Sequence, residues 1–352
     1  MIADSDITVV MQGDIRPNTL AAIQSVRTVL PGATLILSSF PAAELDNLAA
    51  FVDQLIISDD PGALPPYTRG SSTPNNVNRQ IVSTAAGLRA VTTRYALKLR
   101  TDSLLCHDGF VRLAWSTEIA TGSANALIAS SFYTRHPEGL SRYACHVSDW
   151  FMFGATAVMR EFWSAHLMTA EDASYFDTRP HRPDSLLAAA RFRARFTPEQ
   201  HLCIQFAQSL GLLTPYFLNH EFPLVTADYK TLMGRHFVIA EPALLGFVVP
   251  KHAKAEASWY QRLDCVGAAD WLCYFQDVHG TEAARYVAAS MNWSHLSMWS
   301  QRLRPYCTKF RRLIHRAAMV KRHLMTRLAA NSNGDTVNAE PCPSINNHSA
   351  RK

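Results

Sequence analysis

The 352-residue chain is 48% hydrophobic and 18% charged, enough to bury one large α/β domain or two smaller ones. It holds no apolar run of about 18 residues, which argues against a spanning helix. Its seven cysteines are scattered without a C-x-x-C pair, which excludes a zinc ribbon or disulfide framework and fits a reducing compartment. The net charge of +5 is uneven: residues 301–328 carry nine Lys or Arg and no acid, leaving residues 1–300 mildly acidic.

The opening "MIADSDITVV" puts two Asp and no Lys or Arg before a short apolar run, unlike a secretory n-region, so a cytoplasmic location is expected. "DITVVMQGDI" predicts a first strand ending at Gln12, Gly13 and Asp14. "NTLAAIQSVRTVLPGA" has helical spacing at Leu20, Ile23, Val26 and Leu30, stopped by Pro31-Gly32. "TLILSSF" and "VDQLIISDDPG" predict the second and third strands. A long loop over 61–74, rich in Pro, Gly, Ser and Thr, has the character of a binding segment or lid. "NNVNRQIVSTAAGLRAV" predicts a helix capped by Asn75 or Asn76, "RYALKLRTDSLL" a fourth strand and "ALIASSF" a fifth. Alternating strands and helices over 1–131 imply a mostly parallel, doubly wound sheet, whose ligands gather at the carboxyl ends of the strands. Those ends are polar here: Gly13-Asp14, Asp59-Asp60 and Thr101-Asp102.

Beyond residue 132 the text is irregular and aromatic. "HVSDWFMFGATAVMREFWSAH" predicts a polar start, an aromatic strand, a Gly turn and a helix. "TPEQHLCIQFAQSLGLL" begins a helix with Thr197 as N-cap and Pro198 at its first position. "HFVIAEPALLGFVVPKHAK" returns to strand-like text. Residues 301–330 suit a basic helical segment, and 331–352 have the composition of a disordered tail.

The charged strand is the feature that asks for an explanation. Lys98, Arg100 and Asp102 share one face, opposite Tyr95, Leu97 and Leu99. Buried unpaired charges are costly, so the strand end either holds a local Arg–Asp pair or opens into an anion cleft. Asn75, Asn78 and Arg79, spaced i, i+3 and i+4, share a helical face; they form either a cap with a solvated face or a set of ligand donors.

These stretches resemble the nucleotide-diphospho-sugar transferases of the GT-A fold, and more closely the WavE family of lipopolysaccharide-synthesis proteins. The matching text is "ITVVMQGDI", "VDQLIISDDPG", "NNVNRQIVSTAAGLRAVTTRYALKLRTDSLL", "SDWFMFG", "PEQHL" and "HFVIAEPALLGF", in the family's order over about 6–255. The resemblance implies a GT-A-like (Rossmann-like) glycosyltransferase domain over 1–300. Its nucleotide-binding half would be 1–131 and its acceptor and sugar half 132–300. It implies a nucleotide-sugar donor and a lipid-linked lipopolysaccharide or cell-surface glycan acceptor.

In that fold a D-x-D triplet ends the fourth strand and holds a divalent metal against the diphosphate. Here the triplet is Arg100-Thr101-Asp102. Two expectations follow: Asp102 binds Mn²⁺ or Mg²⁺ with Lys98 or Arg100 on phosphate, or the basic side chains replace the metal. His220 and His252 are weaker candidates for a metal shell. The resemblance also places Gln12, Gly13 and Asp14 at the base and ribose, and the shared face of Asn75, Asn78 and Arg79 would suit hydrogen bonds to ribose or phosphate. Asp149 and Glu199 are the candidate catalytic carboxylates, with Trp150 as a stacking surface; for Glu199 the helix dipole offers an independent reason for an acid.

The basic segment 301–328 suits an anionic membrane surface, which would place the protein at the inner face of the cytoplasmic membrane. A solvated helix is the alternative, and nucleic acid is not expected because stacking aromatics are sparse there. A non-catalytic, degenerate GT-A module that binds glycan or recruits partner enzymes is the competing function. A nucleotidyltransferase is disfavoured, because no Gly-rich basic loop follows "VVMQG".

Overall fold

The computed structural model describes residues 1–256, 258–290, 313 and 317. The basic segment and the tail, apart from Leu313 and Ala317, lie outside the described residues.

A seven-stranded sheet forms the centre. Its strands are β1 (Ile7–Gln12), β2 (Thr34–Ser39), β3 (Gln54–Ile57), β4 (Tyr95–Arg100), β6 (Leu127–Ser130), β7 (Phe151–Ala155) and β8 (Phe237–Ala240), in the order β3-β2-β1-β4-β7-β6-β8. β5 (Leu104–Leu105) and β9 (Phe247–Val248) form a separate antiparallel ladder. In the large sheet only β7 runs against its neighbours. The expected mostly parallel α/β sheet is therefore present, and it draws strands from both sides of residue 131.

The strands are nearly continuous apolar runs because helices cover both faces. Ile7, Val9, Val10 and Met11 of β1 are buried, as are Leu35, Ile36 and Leu37 of β2. The helix Thr19–Val29 buries Ala22, Ile23 and Val26, the spacing legible in the sequence. The helix Val77–Ala90 packs on β1 and β2, burying Ile81 and Leu88. Gly154 lies inside β7 rather than at a turn, pressed against the Leu127 side chain of β6.

The chain passes from β1 out to β2 and β3, then returns to the other side of β1 with β4. That reversal leaves a crevice beyond the carboxyl ends of β1 and β4, the expected place for a ligand. Gln12 and Arg100 lie opposite each other at its floor.

Candidate functional site

The crevice is lined by Gln12, Gly13, Asp14 and Arg16 after β1, Phe40 after β2, Asn76, Arg79 and Gln80 at a helix start, and Arg100, Thr101 and Asp102 after β4. Gly13 has φ +133°, a conformation open to glycine, and a Cβ there would come 3.1 Å from Thr101 Oγ1. Thr101 Oγ1 donates to the Asp14 carbonyl at 2.7 Å, tying the two strand ends together. Gln12, at the floor, spends its amide nitrogen on Ser83 Oγ at 2.9 Å.

Arg100 donates from Nε and Nη2 to the two oxygens of Asp102, at 2.8 and 3.1 Å, and its guanidinium lies 4.8 Å from the Trp150 ring centre. Lys251 Nζ donates to Asp102 Oδ2 as well. Burial alone would raise the Asp102 carboxyl. The hydrogen bond and charge of Arg100, joined by those of Lys251, outweigh it and hold the group well below the usual carboxylate range. Arg79 grips Asp60 with two hydrogen bonds, at 2.8 and 2.6 Å.

Three expected ligand contacts are corrected by packing. Lys98 is fully buried and donates to the Asp149 carbonyl, with Nζ 5.0 Å from the Trp163 ring centre, so it does not reach the crevice. Asn78 spends its amide on the backbone of Met168, accepting at 2.7 Å and donating at 3.0 Å. Buried Asn75 accepts from Val77 N at 3.1 Å and donates toward Met168 Sδ. The pair anchors a loop; of the three residues on that face only Arg79 lines the crevice.

Burial lowers the Lys98 ammonium to about 8, against the opposing charge of Asp149. The unfolded chain therefore binds more protons between about pH 8 and 10.5, and stability should rise with pH across that window, by up to about 3 kcal/mol. Lys98→Met removes this slope in urea titrations at pH 8 and 10. At pH 7 the relief from desolvation and the lost hydrogen bond are of similar size, so the variant stays within about 1 kcal/mol of the parent. A Lys98→Met protein with an unchanged slope would contradict the assignment.

A second cavity, about 240 Å³, lies around Glu199 and is lined by Tyr67, Tyr133, Arg135, Tyr143, His146 and Phe192, among others. Glu199 stands in the first turn of the helix Pro198–Ser209. Thr197 caps this helix as the sequence predicts, accepting from Gln200 N at 3.1 Å. The loop 61–74 reaches this cavity through Tyr67, pinned by a bridge between Thr68 and Phe192.

Burial, then the charge of Asp149, raise the Glu199 carboxyl to about 7 against the pull of Arg135 and Thr197. His146 Nε2 lies 3.6 Å from Glu199 Oε2. Burial and the Arg135 charge push that imidazole well below its ordinary value, so it is neutral and the two do not form an ion pair.

The wall of this cavity is built under strain. Tyr133 (φ 67°), Arg142 (φ 56°) and Cys145 (φ 52°) are the non-glycine residues with positive φ among those described, and all fall in the segment joining β6 to β7. Such conformations persist only when the surroundings over-determine them, and they cluster at functional sites. Here Asp264 supplies the restraint, taking Ser141 N and Oγ at 2.6 Å each and Arg135 Nη1 at 2.7 Å.

Trp150 lies between residues that line the two spaces. Arg100, which lines the crevice, lies against it, and Tyr133, which lines the cavity, has its ring centre 5.4 Å from it. Trp150 is thus largely covered rather than an open stacking platform. Asp149 sits buried behind it, its Oδ2 without a hydrogen bond among the described residues, and its charge acts on Lys98, Arg100 and Glu199.

The residues present do not fit a divalent metal at Asp102. Both carboxylate oxygens are taken by cations. No cluster of three or more His, Cys, Asp or Glu suited to a metal ion occurs among the described residues. His220 packs against Tyr216 and Phe217. Lys251, Arg135, His146 and Asp264 are missing from the sequence-based set. They stand far in sequence from the residues they touch, and no motif announces them.

A family model described as WavE lipopolysaccharide synthesis matches residues 7–306. No curated protein matches the chain. Among solved structures, the chain is similar to the galactosyltransferase LgtC in complex with donor and acceptor sugar analogs, at 12% identity and a TM-score of 0.35. That match covers 73% of this chain and 93% of the other. An active-site mutant of LgtC is similar at 11% identity and a TM-score of 0.33, covering 62% and 85%. Among the described residues no helix is long and apolar enough to cross a membrane.

Proposed function

This chain belongs to the WavE lipopolysaccharide synthesis family, and from that premise we propose that it is a glycosyltransferase. It takes a sugar from a nucleotide-diphosphate donor and passes it to a lipopolysaccharide-type acceptor. One observation carries this reading: two spaces lie near Trp150, a crevice with three arginines at the carboxyl ends of β1 and β4 and a largely aromatic cavity holding Glu199, a mostly covered carboxyl raised to about 7. The first suits a nucleoside diphosphate, with Gly13 and Asp14 beside the nucleoside and Arg100 on phosphate. The second suits the acceptor, whose hydroxyl proton Glu199 takes as general base. Asp149, buried between them, holds charge against both sides and raises the basicity of Glu199. The acceptor is a lipid-linked glycan, and the basic segment 301–328 brings the enzyme to an anionic membrane surface at the inner face of the cytoplasmic membrane.

The test is release of nucleoside diphosphate from a panel of UDP-, GDP- and CDP-sugars in the presence of lipopolysaccharide acceptors. Turnover of one donor that depends on acceptor is the expected result. Binding of glycan with no donor turnover would instead favour the non-catalytic module, a reading motivated by Arg100 standing where the family resemblance places an acid.

A further inference from the structure

We infer that the donor's diphosphate is held without a divalent metal, by Arg100 and Lys251, and that Asp102 is a positioning residue for those two cations. The inference rests on the donor reading above and deepens it. Asp102 is almost completely enclosed, its side chain 5% exposed, and its oxygens face a guanidinium and an ammonium. A metal there would have to displace both, then sit beside the cations it had displaced. A doubly charged ion so placed is repelled by both cations, and weakly screened charges at such short range repel strongly. The local field favours an anion instead.

The cations are built into the fold. The Trp150 ring lies 4.8 Å from the Arg100 guanidinium, and Asp102 occupies its Nε and Nη2, leaving Nη1 without a hydrogen bond among the described residues at the edge of the crevice. A guanidinium held on one edge presents the other as a planar donor to phosphate oxygens. Lys251 arrives from the far end of the chain. Gly246, at φ +84°, turns into β9, where a Cβ would strike the His107 carbonyl at 2.0 Å. The pairing of Val248 with Leu104 then sets Pro250–His252 over the end of β4. The Lys251 side chain is 46% exposed, and one carboxylate bond leaves two ammonium hydrogens for a ligand. Arg16 and Arg79 stand near with exposed partners, Asp14 and Asp60. The singly bonded, exposed Arg16–Asp14 pair is weak, so Arg16 can turn to phosphate at little cost, whereas Arg79 is held bidentately by Asp60.

The experiment titrates the full chain with UDP, GDP, CDP and inorganic pyrophosphate by calorimetry, in EDTA and again in Mn²⁺ or Mg²⁺. At least one nucleoside diphosphate is expected to bind in EDTA with affinity within about threefold of that in metal. Arg100→Ala and Lys251→Ala should each weaken it about tenfold or more. Lys251→Arg should restore most of the loss, which a merely structural defect would not allow. Asp102→Asn should weaken binding equally in both buffers, and thermal melts confirm that each variant is folded. Binding seen only with metal, or an Asp102→Asn loss confined to the metal buffer, overturns the inference and leaves the glycosyltransferase reading intact. No binding in either buffer overturns both.

Discussion

Glu199→Gln lowers the rate of glycosyl transfer by about 10²- to 10⁴-fold, the usual contribution of a positioned general base. The amide keeps the shape of the carboxyl and its place in the first turn of the helix, so what is lost is the proton acceptor. With the parent carboxyl at about 7, the parent rate should climb through pH 7 and level above it, while the residual rate of the variant stays flat. Stability should move the other way. The folded carboxyl sits above its ordinary value of 4.5, so its stabilising protonated form is fully present below pH 4.5. That stability is lost as pH rises through 7. The Glu199 side chain is 17% exposed, and a shift of that size corresponds to about 3 kcal/mol. Urea unfolding at pH 5 and pH 8 should therefore show the parent losing stability across the interval and Glu199→Gln losing little. A less active, more alkali-stable variant is the signature of strain kept for function. Retention of activity within threefold would remove Glu199 from the chemistry.

What the sequence made legible was whatever neighbouring residues decide. The periodicity of Ile23, Val26 and Leu30 set a helix face, Thr197-Pro198 set a helix start, and polar strand ends marked the crevice. Alternation along "YALKLRTD" expected Lys98, Arg100 and Asp102 on one face, but the strand ends at Arg100, and Asp102 lies in the turn beyond it. It could not say that Trp163 and the Asp149 carbonyl close over Lys98 while Arg100 and Asp102 reach the opening two residues later. The i, i+3, i+4 spacing of Asn75, Asn78 and Arg79 likewise fixed a direction and left the Met168 loop unseen. The remaining parts of the site are long-range events. Lys251 meets Asp102 through a two-residue ladder, and His146 meets Glu199 across a strained loop. Periodicity carries no record of such meetings, because they depend on how loops between elements fold back.

Asp264→Ala is the substitution expected to cost most in folding, about 3–5 kcal/mol, because it strips a buried charge pair of one partner. Asp264 is fully buried, and its carboxylate binds Arg135, Ser141 N and Ser141 Oγ, while its carbonyl accepts from His136 N at 2.8 Å. One side chain thereby ties the segment carrying Tyr133, Arg142 and Cys145 to the far side of the domain. Alanine would leave two short hydrogen bonds unmade and the Arg135 guanidinium facing a void. The backbone would relax from its positive-φ conformations, and the cavity around Glu199 would lose its shape. The crevice is built from other elements, so nucleoside diphosphate binding should change by less than about threefold in the folded fraction, while the KM for acceptor rises at least tenfold. Asp264→Asn keeps an acceptor for Ser141 N but not the charge facing Arg135, so it should fall between parent and alanine in unfolding free energy. Calorimetric donor binding and acceptor-dependent turnover on the same samples separate the two spaces. Equal damage to donor and acceptor would mean that the two spaces are coupled rather than independent.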